Sequence, residues 1–243
     1  MALIRVAAIL FAMSASGAMA AEMVANGIFL IAKREMRDPR FQQTVILITH
    51  PPQGGPFGVI INRPLEHTLS EVFPEQRTLK GKKDVLYLGG PVAREGLMFL
   101  VRSATPPARS VHVLKDVYFT GDANWIEAQL KRRDPTKGLR VYAGYSGWGL
   151  GQLQNEIERG DWHVLPADAE TIFEKDPARI WPELIQRATA QPTRHVPAAP
   201  ERNLPRNHTE KTDKLLISET SRAQGLCQYE ARSLTKRLFG IIP

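Results

Sequence analysis

Apolar runs of strand length alternate along the middle of the chain with short amphipathic segments and turns rich in Gly and Pro. Thr44 to Thr49 (TVILIT) and Phe57 to Asn62 (FGVIIN) are nearly unbroken apolar, β-branched runs joined by HPPQGGP. Strands covered on both faces read this way, so the pair is expected to form a hairpin in a buried sheet. Thr68-Leu-Ser-Glu71, followed by Val72 and Phe73, is a capping box: the threonine hydroxyl and the glutamate carboxylate satisfy N–H groups that the first helical turn leaves unpaired. Further strands are expected over 85–88, 96–101, 111–114 and 117–120. Asp122 is placed to cap a helix carrying Trp125, Ile126 and Leu130.

A strand over 139–143 leads into GYSGWGLGQLQNEIERGDWHVLP, residues 144–166. Leu150, Leu153 and Ile157 share one helical face there, and Gly160 suits the left-handed position that ends a helix. Glycines 147, 149 and 151 are expected to supply positive φ or close backbone approach beside Trp148 and Trp162, which makes Gly149→Val a destabilising change. The two indoles can each bury roughly 150–250 Å², several kcal/mol together at about 25 cal/mol/Å². Beyond them Asp168 and Asp176 cap two more helices. The second presents Ile180, Trp181, Leu184, Ile185 and Ala188, with Pro182 as an alternative starting point. The pattern is that of an α+β fold, a single mixed, sheet-rich domain with short flanking helices.

Composition refines this picture at the two ends of the 243-residue chain. Residues 1–20 have the layout of a secretory signal: Arg5, an apolar run over 6–13 and a small-residue cleavage site at Ala18-Met19-Ala20. That run is too short to cross a bilayer, and no integral membrane segment is expected after cleavage. Residues 21–189 form the expected domain. From 190 to 243 the chain turns Pro-rich and basic, the composition of a disordered tail. The expected setting is periplasmic or secreted, with a cytoplasmic alternative if translation starts at Met23. Cys227 is the single cysteine, which excludes an intramolecular disulfide framework. The formal charge of +7 owes more than half of its excess to the last 55 residues, where nine Lys/Arg stand against five Asp/Glu. The domain itself is near neutral, and nucleic acid is not expected as its partner.

The glycine-rich segment invites a catalytic reading that its spacing does not support. Ser146 sits on a strand-to-helix turn, yet Trp148 stands where the second glycine of a G-x-S-x-G nucleophile elbow belongs. Gly149-Leu-Gly151 lacks the third glycine of a dinucleotide fingerprint, and no GK[ST] is present for a phosphate loop. An anion at the start of the following helix is an alternative use of its N–H groups. His50, His67, His112 and His163 share no metal-ligand spacing. No catalytic, cofactor-binding or metal-binding residue is assigned, and no cofactor is expected.

The stretches at 30–48 (LIAKREMRDPRFQQTVILI), 54–73 (GGPFGVIINRPLEHTLSEVF), 87–92 (YLGGPV) and 143–167 (AGYSGWGLGQLQNEIERGDWHVLPA) resemble the YqgE/AlgH family in order over some 160 residues. The resemblance implies a small, sheet-rich α+β fold, usually cytosolic, with no established catalytic activity. The AlgH name reflects a proposed role in regulating alginate production. Ser146 stands where the family more often has alanine, and Arg102 where histidine is frequent, so neither position carries family chemistry here.

The leading expectation is a non-catalytic binding or regulatory protein whose partner, a protein or a small molecule, is unknown. The alternatives are a small hydrolase-like enzyme using a cleft near the Gly-rich loops, and weak nucleic-acid binding through the basic tail. If a ligand site exists, it is expected where the loops after two strands (Asn62, Arg63, Gly89, Gly90) meet the glycine-rich segment (Trp148, Gln152, Glu156).

Overall fold

The computed structural model describes residues 27–51, 55–149 and 151–190; the signal read in 1–20 and the tail beyond 190 lie outside the described residues. Ten strands among the described residues form one sheet. Its main path runs β10 (Trp162–Pro166), β1 (Ile28–Ala32), β2 (Val45–Thr49), β3 (Phe57–Ile60), β9 (Leu139–Gly147), β6 (Val92–Arg102), β8 (Val117–Thr120) and β7 (Ser110–Leu114). A ribbon of β4 (Pro64–Thr68) and β5 (Val85–Leu88) joins this path through β5. The expected hairpin is present, with β2 antiparallel to β3 and Ile46 facing Ile60.

The apolar runs are continuous because both faces of their strands are covered. Phe29, Ile31, Val45, Leu47 and Val59 point to a core shared with α4 (Ala169–Phe173) and α5 (Pro177–Ala190). The alternating residues Ile28, Leu30, Ile46, Ile48 and Ile60 point the other way, toward Trp148, Trp162 and α3 (Gln152–Arg159). A third cluster packs Phe99, Val101 and Val141 against α1 (Leu69–Val72) and α2 (Ala123–Leu130) through Leu69, Ile126 and Leu130. A substituted side chain on any of these strands therefore meets a packed layer on whichever face it enters.

The caps form as the sequence expects. Both halves of the Thr68–Glu71 box are made, at 3.3 Å from the Glu71 amide to Thr68 Oγ1 and 2.8 Å from the Thr68 amide to Glu71 Oε2. Asp122 accepts from the amides of Asn124 and Trp125, and Asp168 from that of Thr171. Helix α5 begins at Pro177 and runs through Pro182. Pro182 removes only the N–H that Ala178 would accept, while Ile180, Leu184 and Ile185 are buried and the Trp181 indole donates to the Ala32 carbonyl at 2.8 Å.

Strand β9 is the hub. One of its edges is lined by β6. The other is shared: β5 runs parallel to it at Tyr142 and Ala143, and β3 runs antiparallel at Ser146 and Gly147. Gly89 stitches the changeover, donating to the Ala143 carbonyl at 2.8 Å and accepting from the Ile60 amide at 2.9 Å. The backbones meet so closely that side chains have no room. A Cβ on Gly89 would lie 2.2 Å from the Gly144 oxygen, one on Gly90 2.3 Å from the Tyr145 carbonyl, and one on Gly144 2.6 Å from the Val92 oxygen. Gly144 also holds φ at 70°, a left-handed conformation that favours glycine. Facing it, β6 bulges: Val92 pairs with Tyr145 and the next pair is Leu97 with Ala143.

This relocates the constraint expected at Gly149. A Cβ there meets nothing closer than Gln152 Oε1 at 3.8 Å, and its φ is not left-handed. Gly151, at φ 73°, is the left-handed residue of that turn. Gly144→Ala is expected to destabilise the fold by about 2–4 kcal/mol, from the strained φ and the forced contact. Gly149→Val should change stability by about 1 kcal/mol or less. Urea denaturation of the two variants measures the difference.

Candidate functional site

The glycine-rich segment leaves β9 with the Trp148 amide bonded to the Pro56 carbonyl at 3.1 Å and enters α3 through Gly151. Its polar side chains converge on one carboxylate. Glu156 Oε2 accepts from the Trp148 indole at 2.9 Å and from the Trp162 indole at 3.0 Å. Glu156 Oε1 accepts from Gln152 Nε2 at 3.0 Å. Gln152 in turn accepts from the Gly149 amide at 3.1 Å, tying the turn before the helix to its first residue. Trp162 is held on its other side by an edge-on contact with Phe41, ring centroids 5.7 Å apart. The indoles are nearly fully buried, so their N–H groups need an acceptor, and the helical spacing of 152 and 156 supplies a connected one.

Ser146 is 1% exposed, and its hydroxyl donates to the Gly89 carbonyl at 3.3 Å. It fastens the β5 turn to β9 and has no access to a substrate. The histidines do not gather: among the described residues no group of three or more His, Cys, Asp or Glu side chains is placed to hold a metal ion. His67 is exposed beside Glu71, and the His112 ring packs on Tyr118. Burial lowers the pKa of His50 and of His163, the latter helped by the positive charge of Lys33.

Asn62 and Arg63 serve a different junction. Asn62 accepts from the Val45 amide at 2.8 Å and donates to the Gln43 carbonyl at 2.9 Å. Arg63 donates to the carbonyls of Arg40 and Gln42, at 2.5 and 2.8 Å, and its partial burial lowers its pKa. Both side chains secure the loop before β2. Because β3 meets Gly147 at Phe57, they sit at the far end of that strand from Trp148, roughly 15 Å away at ~3.3 Å per residue. Gly89 and Gly90 lie against β9 between the two groups. The seven candidate residues thus divide among three structural junctions.

A cavity of about 280 Å³ opens elsewhere, between the starts of β5 and β9. Leu69, Val85 and Leu139 give it apolar wall, and Lys83, Asp84, Tyr87 and Arg140 give it polar groups. None of the seven candidates lines it. No motif marks these residues, because Asp84 and Arg140 become neighbours only through the parallel pairing of β5 with β9; the charged residues flanking VLYL were the single local cue.

The fold is that of a class of small, sheet-rich α+β proteins, which comparison with known proteins identifies. The AlgH-like family model (DUF179) matches residues 29–193, and the chain belongs to that family. A UPF0301 protein of Mycobacterium tuberculosis is 34% identical over 176 residues, covering 69% of this chain and 84% of the relative. The solution structure of the AlgH protein from Pseudomonas aeruginosa superposes with a TM-score of 0.54 at 30% identity, covering 69% of this chain and 94% of that one. A crystal structure from Corynebacterium diphtheriae gives a TM-score of 0.57 at 25% identity, covering 73% and 92%.

Removing the shared acceptor should show its role. Glu156→Ala leaves two buried indole N–H groups without a partner and is expected to cost about 2–4 kcal/mol, whereas Glu156→Gln, which keeps an acceptor oxygen, should cost about half as much. Chemical denaturation followed by tryptophan fluorescence measures both.

Proposed function

We propose that this chain is a non-catalytic binding or regulatory protein. The supporting observation is the use made of three side chains in the most recognisable segment: the Ser146 hydroxyl, the Glu156 carboxylate and the Gln152 amide are each engaged in internal hydrogen bonds. A catalytic group must reach the reacting atoms of a substrate, and Ser146 lies beneath the crossing of β5 over β9. Glycines that accompany catalysis usually let a ligand approach the backbone. Here Gly89, Gly90 and Gly144 admit another stretch of the same chain. The regulatory half of the reading follows the family resemblance and goes no further than it. The secretory layout of residues 1–20 makes an extracytoplasmic setting part of the proposal.

The test is an assay of the purified protein and its Ser146→Ala variant against ester, amide and phosphomonoester substrates. Both should match the buffer blank. Turnover above blank that disappears in Ser146→Ala, with the melting temperature unchanged, overturns the reading.

A further inference from the structure

We propose that the cavity between the starts of β5 and β9 binds a small carboxylate that also carries a hydrogen-bond donor. The inference deepens the binding reading above and rests on it.

Arg140 is the group that points to an anion. Its guanidinium is held over the Tyr87 ring at 5.7 Å and the Phe173 ring at 5.9 Å. It donates to the carbonyls of Phe173 and Leu139. Those two bonds use a minority of the five N–H groups a guanidinium offers. Both acceptors are neutral, and no carboxylate of the described residues lies within ion-pair distance of it. Arg40, Arg102, Arg159 and Arg179 each have such a partner. Arg140 is therefore a half-buried cation that the fold orients and leaves without a direct ion pair among the described residues, and its planar fork matches a carboxylate.

The surroundings add to this. Two residues along the same face of β9, behind the cavity lining, the Tyr142 hydroxyl is fully buried and has no hydrogen-bond partner among the described residues, with its ring 5.7 Å from that of Tyr87. A buried hydroxyl without a partner is uncommon in a finished core. Lys83 and Asp84 are both lining residues of the cavity, neither has an ion-pair partner among the described residues, and the Leu69 amide bonded to the Asp84 carbonyl at 2.7 Å fixes that rim.

The cavity thus presents two cationic donors and one anionic acceptor. A molecule with a carboxylate for Arg140 and Lys83 and a hydroxyl or ammonium donor for Asp84 satisfies all three. A doubly charged phosphate would face Asp84 at close range and is disfavoured. At about 280 Å³ the space lies just below the ~300–1,000 Å³ of sites for drug-sized ligands, which limits the ligand to a few carbon atoms.

Lactate is the probe, with acetate, lactamide and inorganic phosphate as controls, titrated into the ¹⁵N-labelled protein and followed by NMR. Lactate should give saturable shifts confined to amides near residues 84–87 and 139–142. Acetate should bind several-fold more weakly, and lactamide not at all. Arg140→Gln should weaken lactate about tenfold, the loss of one charge-assisted pair. Because Arg140 also packs on Phe173, Asp84→Asn serves as a second variant: it should erase the preference for lactate over acetate while leaving acetate binding intact. Absence of saturable shifts with lactate, lactate affinity unchanged in both variants, or phosphate binding more tightly than lactate at these residues overturns the site. None of those results touches the non-catalytic reading. New resonances from consumed lactate would overturn that reading instead.

Discussion

The structure depends on one close crossing of backbones. Strand β9 has two neighbours on a single edge, parallel β5 and then antiparallel β3, and the chain can change from one to the other only where no side chain intervenes. Gly89 and Gly90 on one segment and Gly144 on the other make that approach. The Gly89 carbonyl then accepts from both the Ile60 amide and the Ser146 hydroxyl, so the same peptide holds β3 and β9 in register. Every apolar layer is built outward from this junction, because β3 carries β2 and β1, and β6 carries β8 and β7.

The second anchor follows from the first. Once β9 has passed the crossing, Trp148 lands over the face opposite α5, and α3 must close the layer with few apolar residues of its own. Leu153 is its one fully buried side chain. Two indoles complete the layer, and their N–H groups are satisfied by Glu156 from within the same helix. One carboxylate of this largely polar helix thereby fixes the distance between the end of β9 and the start of β10. Glu156 is an acceptor that two tryptophans require; a surface position would have no such demand on it.

What the sequence revealed was what is local. The β2–β3 hairpin, the Thr68 capping box, the Asp122 cap and β8 are all written within a few consecutive residues, and each is found where the pattern places it. β4 was not legible because its residues PLEHT are mostly exposed and carry no apolar alternation. β1 and β10 were hidden inside recognisable motifs, where the eye follows glycines and tryptophans instead of the pairing of Ile31 with His163. The glycine assignments show the limit most clearly. Gly149 and Gly144 look alike in sequence, and only the path of a strand more than fifty residues earlier decides which of them tolerates a side chain. The same reason hid the cavity: Lys83, Asp84 and Arg140 are brought together by parallel pairing, which leaves no periodic trace.

If the family's signature is architecture, the segment should be among the last parts of the molecule to open. Loops that serve catalysis or ligand entry are drawn from the least stable regions of a fold. Native-state hydrogen exchange on the amides of Gly89 and Trp148, bonded to the Ala143 and Pro56 carbonyls, separates the two cases. The account predicts opening free energies within about 1 kcal/mol of global unfolding, with exchange that tracks denaturant as the whole domain does. Opening several kcal/mol below the global value, with little denaturant dependence, would show a segment that moves on its own and would contradict it.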